Sequence, residues 1–131
     1  MKGEFSHDQE FNMNISWLQR IDYLIHIFGI GLFEGDIKAM YNALMMLEII
    51  TSPKLDNDEV EANLEEINKN LSTYILVDWR GQSTGYDSIK KHEVEQLCVK
   101  TLQQIMIKLE AKGILTRGKA DPTKAMGNFN C

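Results

Sequence analysis

Between positions 37 and 50 the chain reads Ile-Lys-Ala-Met-Tyr-Asn-Ala-Leu-Met-Met-Leu-Glu-Ile-Ile, a pattern that predicts a helix apolar around most of its circumference. A helix with one apolar stripe can lie on the surface of a core, whereas one apolar on most faces has to be enclosed by neighbours or by a second copy of the chain. The segment is therefore expected to be central. It should end near Thr51, because Ser52 precedes Pro53 and a residue before proline is pushed out of helical geometry.

Upstream, Trp17 or Leu18, Ile21, Leu24 or Ile25 and Phe28 recur at helical spacing, predicting a first helix from about Asn14 to Gly29, with Asn14 as its cap. Gly29 and Gly31 are expected to break it before Gly35-Asp36 opens the second helix. So short a link favours an antiparallel helical hairpin. Downstream, Val60, Leu64, Ile67, Leu71 and Tyr74 or Ile75 form a narrow apolar seam, capped by Asp56 or Asp58. Asp78 to Gly85 contains two glycines and reads as a loop. A fourth helix over 87–112 follows, with Val94, Leu97, Cys98, Leu102, Ile105, Met106 and Leu109 on its apolar side. Gly113 followed by Ile114 suits a terminating turn in which the apolar residue folds back on the last helical turn.

These elements predict an all-α fold, a four-helix bundle-like single domain over residues 1–115 with an irregular basic C-terminal tail over 116–131. At 131 residues and 15.0 kDa, one core without metal or disulfide support is the expectation. Two cysteines, Cys98 and Cys131, imply no disulfide framework and fit a reducing, cytoplasmic setting. The polar N-terminus lacks the order of a secretory signal. The apolar run from Tyr23 to Phe33 is too short to span a bilayer, so no membrane association is expected.

Charge changes the picture more than composition does. The net charge of -5 argues against non-specific nucleic-acid binding, yet residues 90–131 hold eight basic and four acidic side chains while the acidic excess lies before them. Within the basic part, Leu109-Glu110-Ala111-Lys112-Gly113-Ile114-Leu115-Thr116-Arg117 followed by Asp121-Pro122 resembles the end of a recognition helix and the start of a wing in winged-helix transcription regulators. The resemblance covers about fifteen residues, and helix capping alone would explain its Lys-Gly-Ile-Leu. The preceding segments lack an obvious short helix-turn-helix pair, and too few residues follow to complete a two-stranded wing. What the resemblance implies is phosphate contact by Lys108, Lys112, Arg117, Lys119 and Lys124, with Lys100 nearby.

Catalytic and metal chemistry find little to work with. Asp22 and His26 share a helix face and could be joined by His92 and Glu95, but a carboxylate-bridged di-metal bundle needs paired Glu-x-x-His motifs on separate helices, which the chain lacks. His92 and Cys98 are six residues apart and so roughly 120° apart around one helix, too far to pair. Consecutive Ser6, His7 and Asp8 do not build a triad. The segment from Trp79 to Tyr86 has glycines, hydroxyls and an arginine but not the Gly-Lys spacing of a phosphate loop. Its aromatics are expected to pin the loop to the core, or, if free, to anchor a protein contact.

The expectation is thus a non-enzymatic protein-contact module without cofactor or metal, self-associating through the helix at 37–50. The candidate interface residues are Met40, Tyr41, Met45, Met46 and Ile49, with Trp79 and Arg80 beside them. A homo-oligomer is the expected assembly, most simply a twofold dimer. A small DNA-binding regulator using helix 87–112 and the basic tail is the alternative.

Overall fold

A computed structural model describes the backbone of residues 7–115 and the side chains of residues 16–115. The order is α1 (His7–Glu34), α2 (Ile37–Thr51), α3 (Asp58–Lys69), β1 (Ile75–Val77), β2 (Ser83–Tyr86) and α4 (Ser88–Ala111). Four helices pack together, as their apolar spacing requires, but the fold is not purely helical: a two-stranded antiparallel hairpin fills the gap between α3 and α4. The expected tail over 116–131 lies outside the described residues.

Packing places α2 at the centre, in contact with α1, α3 and α4. Ile37, Met40, Ala43, Leu44 and Leu47 turn inward from it. They meet Ile21, Leu24, Ile25 and Phe28 of α1, Val60, Leu64 and Ile67 of α3, and the Val94 to Leu109 face of α4 in one continuous core. Asp36 starts α2 by accepting a hydrogen bond from the Ala39 amide at 3.1 Å, and Asp87 does the same for Lys90 at the start of α4. Each bond satisfies one of the amides that a helix start leaves without an internal partner.

The first helix does not break at Gly29 or Gly31. It continues to Glu34, then closes with Gly35 at φ 70°, the Asp36 amide donating to Gly31 O at 2.8 Å and the Gly35 amide to Leu32 O at 3.2 Å. That is the double hydrogen bond of a glycine-terminated helix. Gly31 has a different task, because a Cβ there would stand 3.2 Å from Met40 Cγ and 3.3 Å from both Ala39 Cβ and the Asp36 carbonyl oxygen. The missing side chain lets α1 and α2 approach closely. At the other end of the pair, Trp17 Nε1 donates to Ile50 O at 2.8 Å, so the two helices are held antiparallel at both ends. The same termination recurs after α4, where Ile114 N donates to Leu109 O at 2.8 Å and Gly113 sits at φ 74°.

The third helix stops at Lys69, before the end of its apolar seam. Leu71 is half-buried and Tyr74 buried, but Ile75 enters β1. Asp78 builds the turn that follows: its Oδ1 accepts from the Arg80 and Gln82 amides, both at 2.9 Å, while Gly81 takes φ 80°. An aspartate bonded to the backbone two residues on, with glycine supplying positive φ, is turn chemistry that brings two short strands together.

The Gly31 contact yields a direct test. Gly31→Leu forces a large side chain against Met40 and the Asp36 backbone, and is expected to lower unfolding stability by about 1–3 kcal/mol. The urea midpoint should fall with little change in slope.

Candidate functional site

The exposed side of α2 and the groove beside it form an open apolar surface. At about 100° per residue, Met45, Ile49, Asn42 and Met46 follow one another around the arc opposite the core. Met45 is 38% exposed, Met46 54% and Ile49 61%. Next to them a groove of about 590 Å³ runs between α1 and α2. Tyr23, 62% exposed, Ile27, Ala43, Met46 and Ile50 line it, and Arg20 and Asn42 are the polar groups at its edge.

The candidate interface residues therefore divide. Met45, Met46 and Ile49 lie on the open arc. Met40 is wholly buried, so it belongs to the core and not to any surface of the single chain, a correction that follows from its place against Gly31. Tyr41 is half-buried and packs on the core edge. Tyr23, Ile27 and Ile50 were not among the candidates. Their signal was present as apolar residues on the polar side of the first helix and at the end of the second, but only the pairing of α1 with α2 joins them to Met46.

Trp79 and Arg80 sit elsewhere, in the turn of the hairpin. Trp79 is 90% exposed and does not pin the turn to the core as expected, whereas Tyr86, though 60% exposed, keeps its ring centroid 6.0 Å from that of buried Tyr74. Asp78 holds the turn through the backbone instead, leaving the Trp79 ring with the Arg80 guanidinium 5.3 Å from its centroid.

The basic candidates are scattered. The Lys108 ammonium donates to the backbone carbonyl of Asp56, Lys112 is exposed past the end of α4, and Arg117, Lys119 and Lys124 lie outside the described residues. The hairpin precedes α4, whereas a wing would have to follow it. Among the described residues no group of three His, Cys, Asp or Glu side chains could hold a metal ion. His92 Nδ1 lies 4.0 Å from Glu95 on its own helix. Cys98 is fully buried, and desolvation, aided by the charge of Glu95, pushes its thiol up to about 12. A thiol in that state supplies little thiolate nucleophile near neutrality. No helix among the described residues is long and apolar enough to cross a membrane.

Comparison with family models, with curated proteins and with solved structures returns no match.

On the flank of α2 facing α3 the chemistry is polar. Thr51 Oγ1 donates to Leu47 O at 2.7 Å and accepts from Asn57 Nδ2 at 3.1 Å, tying the end of α2 to the start of α3. Burial raises the Glu48 carboxyl above its ordinary value of 4.5, and the neighbouring Glu61 carboxyl raises it further, against a smaller opposing hydrogen bond from Asn57. The folded state thus binds this proton more tightly than the unfolded chain. Its contribution favours folding below about 4.5 and is lost as pH rises through the higher folded value. Glu48→Gln removes the charge and is expected to stabilise the fold at neutral pH, with the advantage over the parent shrinking as pH falls through the raised folded value toward 4.5 and gone below it. Thermal melts of both proteins across pH 4 to 8 check the sign.

Proposed function

We propose that the chain is a non-enzymatic helical interaction module that self-associates through the outer face of α2 and the α1–α2 groove. The observation carrying this proposal is the continuity of Met45, Met46 and Ile49 with the groove lined by Tyr23, Ile27 and Ile50. Half-exposed side chains of this number present roughly 400 Å², a size at which an apolar patch on a monomer is commonly functional. It is about half of what each partner of a standard interface buries, so a reversible, concentration-dependent dimer is the expected form.

A second copy is the occupant that the charges favour. Arg20 lies one turn from Trp17, at the Ile50 end of the groove, and Glu34 lies at the opposite end of α1. A twofold pairing with α2 antiparallel to its counterpart brings Arg20 toward Glu34 of the second copy, twice, and stacks the two helical hairpins into a four-helix layer. The exposed methionines suit such a face, because their unbranched side chains adjust to an imperfectly matched surface. The alternative, duplex DNA bound by α4 and the tail, draws on Lys112 and on residues outside those described, while Lys108 is already engaged with Asp56.

Light scattering over a dilution series, at salt high enough to strip nucleic acid, tests the proposal. The mass should rise toward twice 15.0 kDa with concentration. The double substitution Met46→Glu with Ile49→Glu should hold it at one chain while leaving helicity and melting temperature nearly unchanged, as surface substitutions do. A single-chain mass at every concentration would overturn it.

A further inference from the structure

The groove between α1 and α2 has the form of a small-molecule site as well as of a contact face. Its volume of about 590 Å³ lies within the range of clefts that enclose a ligand. Leu24 and Ala43, both nearly buried, make its floor, and Ala39 continues that floor toward the Gly35 turn. Alanines on α2 leave a depth that longer side chains would fill. With Trp17 bonded to Ile50 and Gly31 packed on Ala39, the helices run antiparallel. Ala39 to Ile50 then gives the furrow a length of roughly 16 Å, at 1.5 Å per residue. Tyr23, Ile27 and Met46 form its walls.

Charge is confined to one end. Arg20, beside Ile50, is the single charged group among the described residues that line the groove. It is exposed and makes no ion pair among the described residues. Glu48, two residues before Ile50, is turned to Glu61 and Asn57 instead. A guanidinium without a counter-ion at the mouth of an apolar furrow is matched by a carboxylate, which it receives through two parallel N–H bonds. A cationic head group would meet repulsion at the same place. A ligand with several charges would have to strand the others against apolar walls.

We infer that the groove binds a free amphipathic monocarboxylate, its carboxylate on Arg20 and its apolar chain laid along Leu24, Ala43 and Met46 toward Ala39. Each methylene taken out of water adds to the affinity, while the exposed Arg20 pair fixes the polarity and direction of the ligand. The unbranched Met46 side chain adjusts to the shape of the chain beneath it. Arg20 is also the group that the twofold pairing turns toward Glu34 of the second copy, so ligand and second copy are alternatives at one face. That competition rests on the self-association proposed above; the binding itself does not.

Amide NMR of the full chain tests the site, at a concentration where light scattering gives a single-chain mass. The probes are sodium dodecanoate below its micelle concentration, dodecyltrimethylammonium and sodium acetate. Dodecanoate should give saturable shifts at Tyr23, Ile27, Ala43 and Met46, the ammonium should bind about tenfold more weakly, and acetate, which lacks the chain, should give none. Arg20→Gln should weaken dodecanoate about fivefold, the size of a well-formed exposed ion pair. Met46→Glu, also at an exposed position, should abolish saturation by setting a carboxylate against the chain. An unchanged far-ultraviolet spectrum shows that each variant, and the liganded protein, stays folded. Equal affinity for the two head groups, parental affinity in Arg20→Gln, or shifts that never saturate overturn the inference. In concentrated protein dodecanoate should lower the mass to one chain, and dimers that persist with the groove saturated overturn the competition. A single-chain mass without ligand at every concentration instead overturns the self-association reading alone.

Discussion

The architecture depends on the close approach of α1 and α2 at Gly31. With hydrogen in place of a side chain, the α1 backbone comes within contact distance of Met40, Ala39 and the Asp36 carbonyl, and Trp17 fixes the far end of the pair to Ile50. That clamp directs Met40, Leu44 and Leu47 toward α3 and α4 instead of along α1. It also decides what stays outside. Once one arc of α2 faces the core, Met45, Met46 and Ile49 on the other arc are left exposed among the described residues.

Both openings follow from the same clamp. The groove beside Tyr23 exists because two antiparallel helices leave a furrow along their open side, filled here by neither α3 nor α4. A second, polar opening of about 370 Å³ exists because the tight Gly35 turn places the start of α2 against the hairpin base and Lys91. The groove is mainly apolar, whereas the second opening mixes Lys38 and Lys91 with Glu34 and Asp36.

Much of the helical framework was legible in the residues themselves. The apolar seam of Val60, Leu64 and Ile67, the stop before Pro53 and the Gly113-Ile114 turn all act within a few residues of chain, and local physics decides them. Gly29 and Gly31 misled because a helical glycine can serve either a turn or a close packing contact, and only the neighbouring helix settles which. The hairpin was missed because Tyr74 and Ile75 continue the helical spacing of the seam, while its real signal is Ile-Leu-Val, then Asp78 and Gly81, then Ser-Thr-Gly-Tyr. At the surface, Met40 and Met46 look alike as residue types. Their opposite fates depend on which arc of α2 meets Gly31, information held in the tertiary pairing alone.

If α2 is the element on which the others are assembled, its backbone should open only when the whole chain unfolds. Native-state hydrogen exchange read residue by residue tests this most directly. The amides from Met40 to Leu47 should exchange slowest, with a free energy equal to that of global unfolding and the same denaturant dependence, while those of the β1–β2 hairpin exchange through smaller local openings. Faster exchange in Met40 to Leu47 than in α4 would contradict the account, since it would mean that α2 detaches from a core able to persist without it.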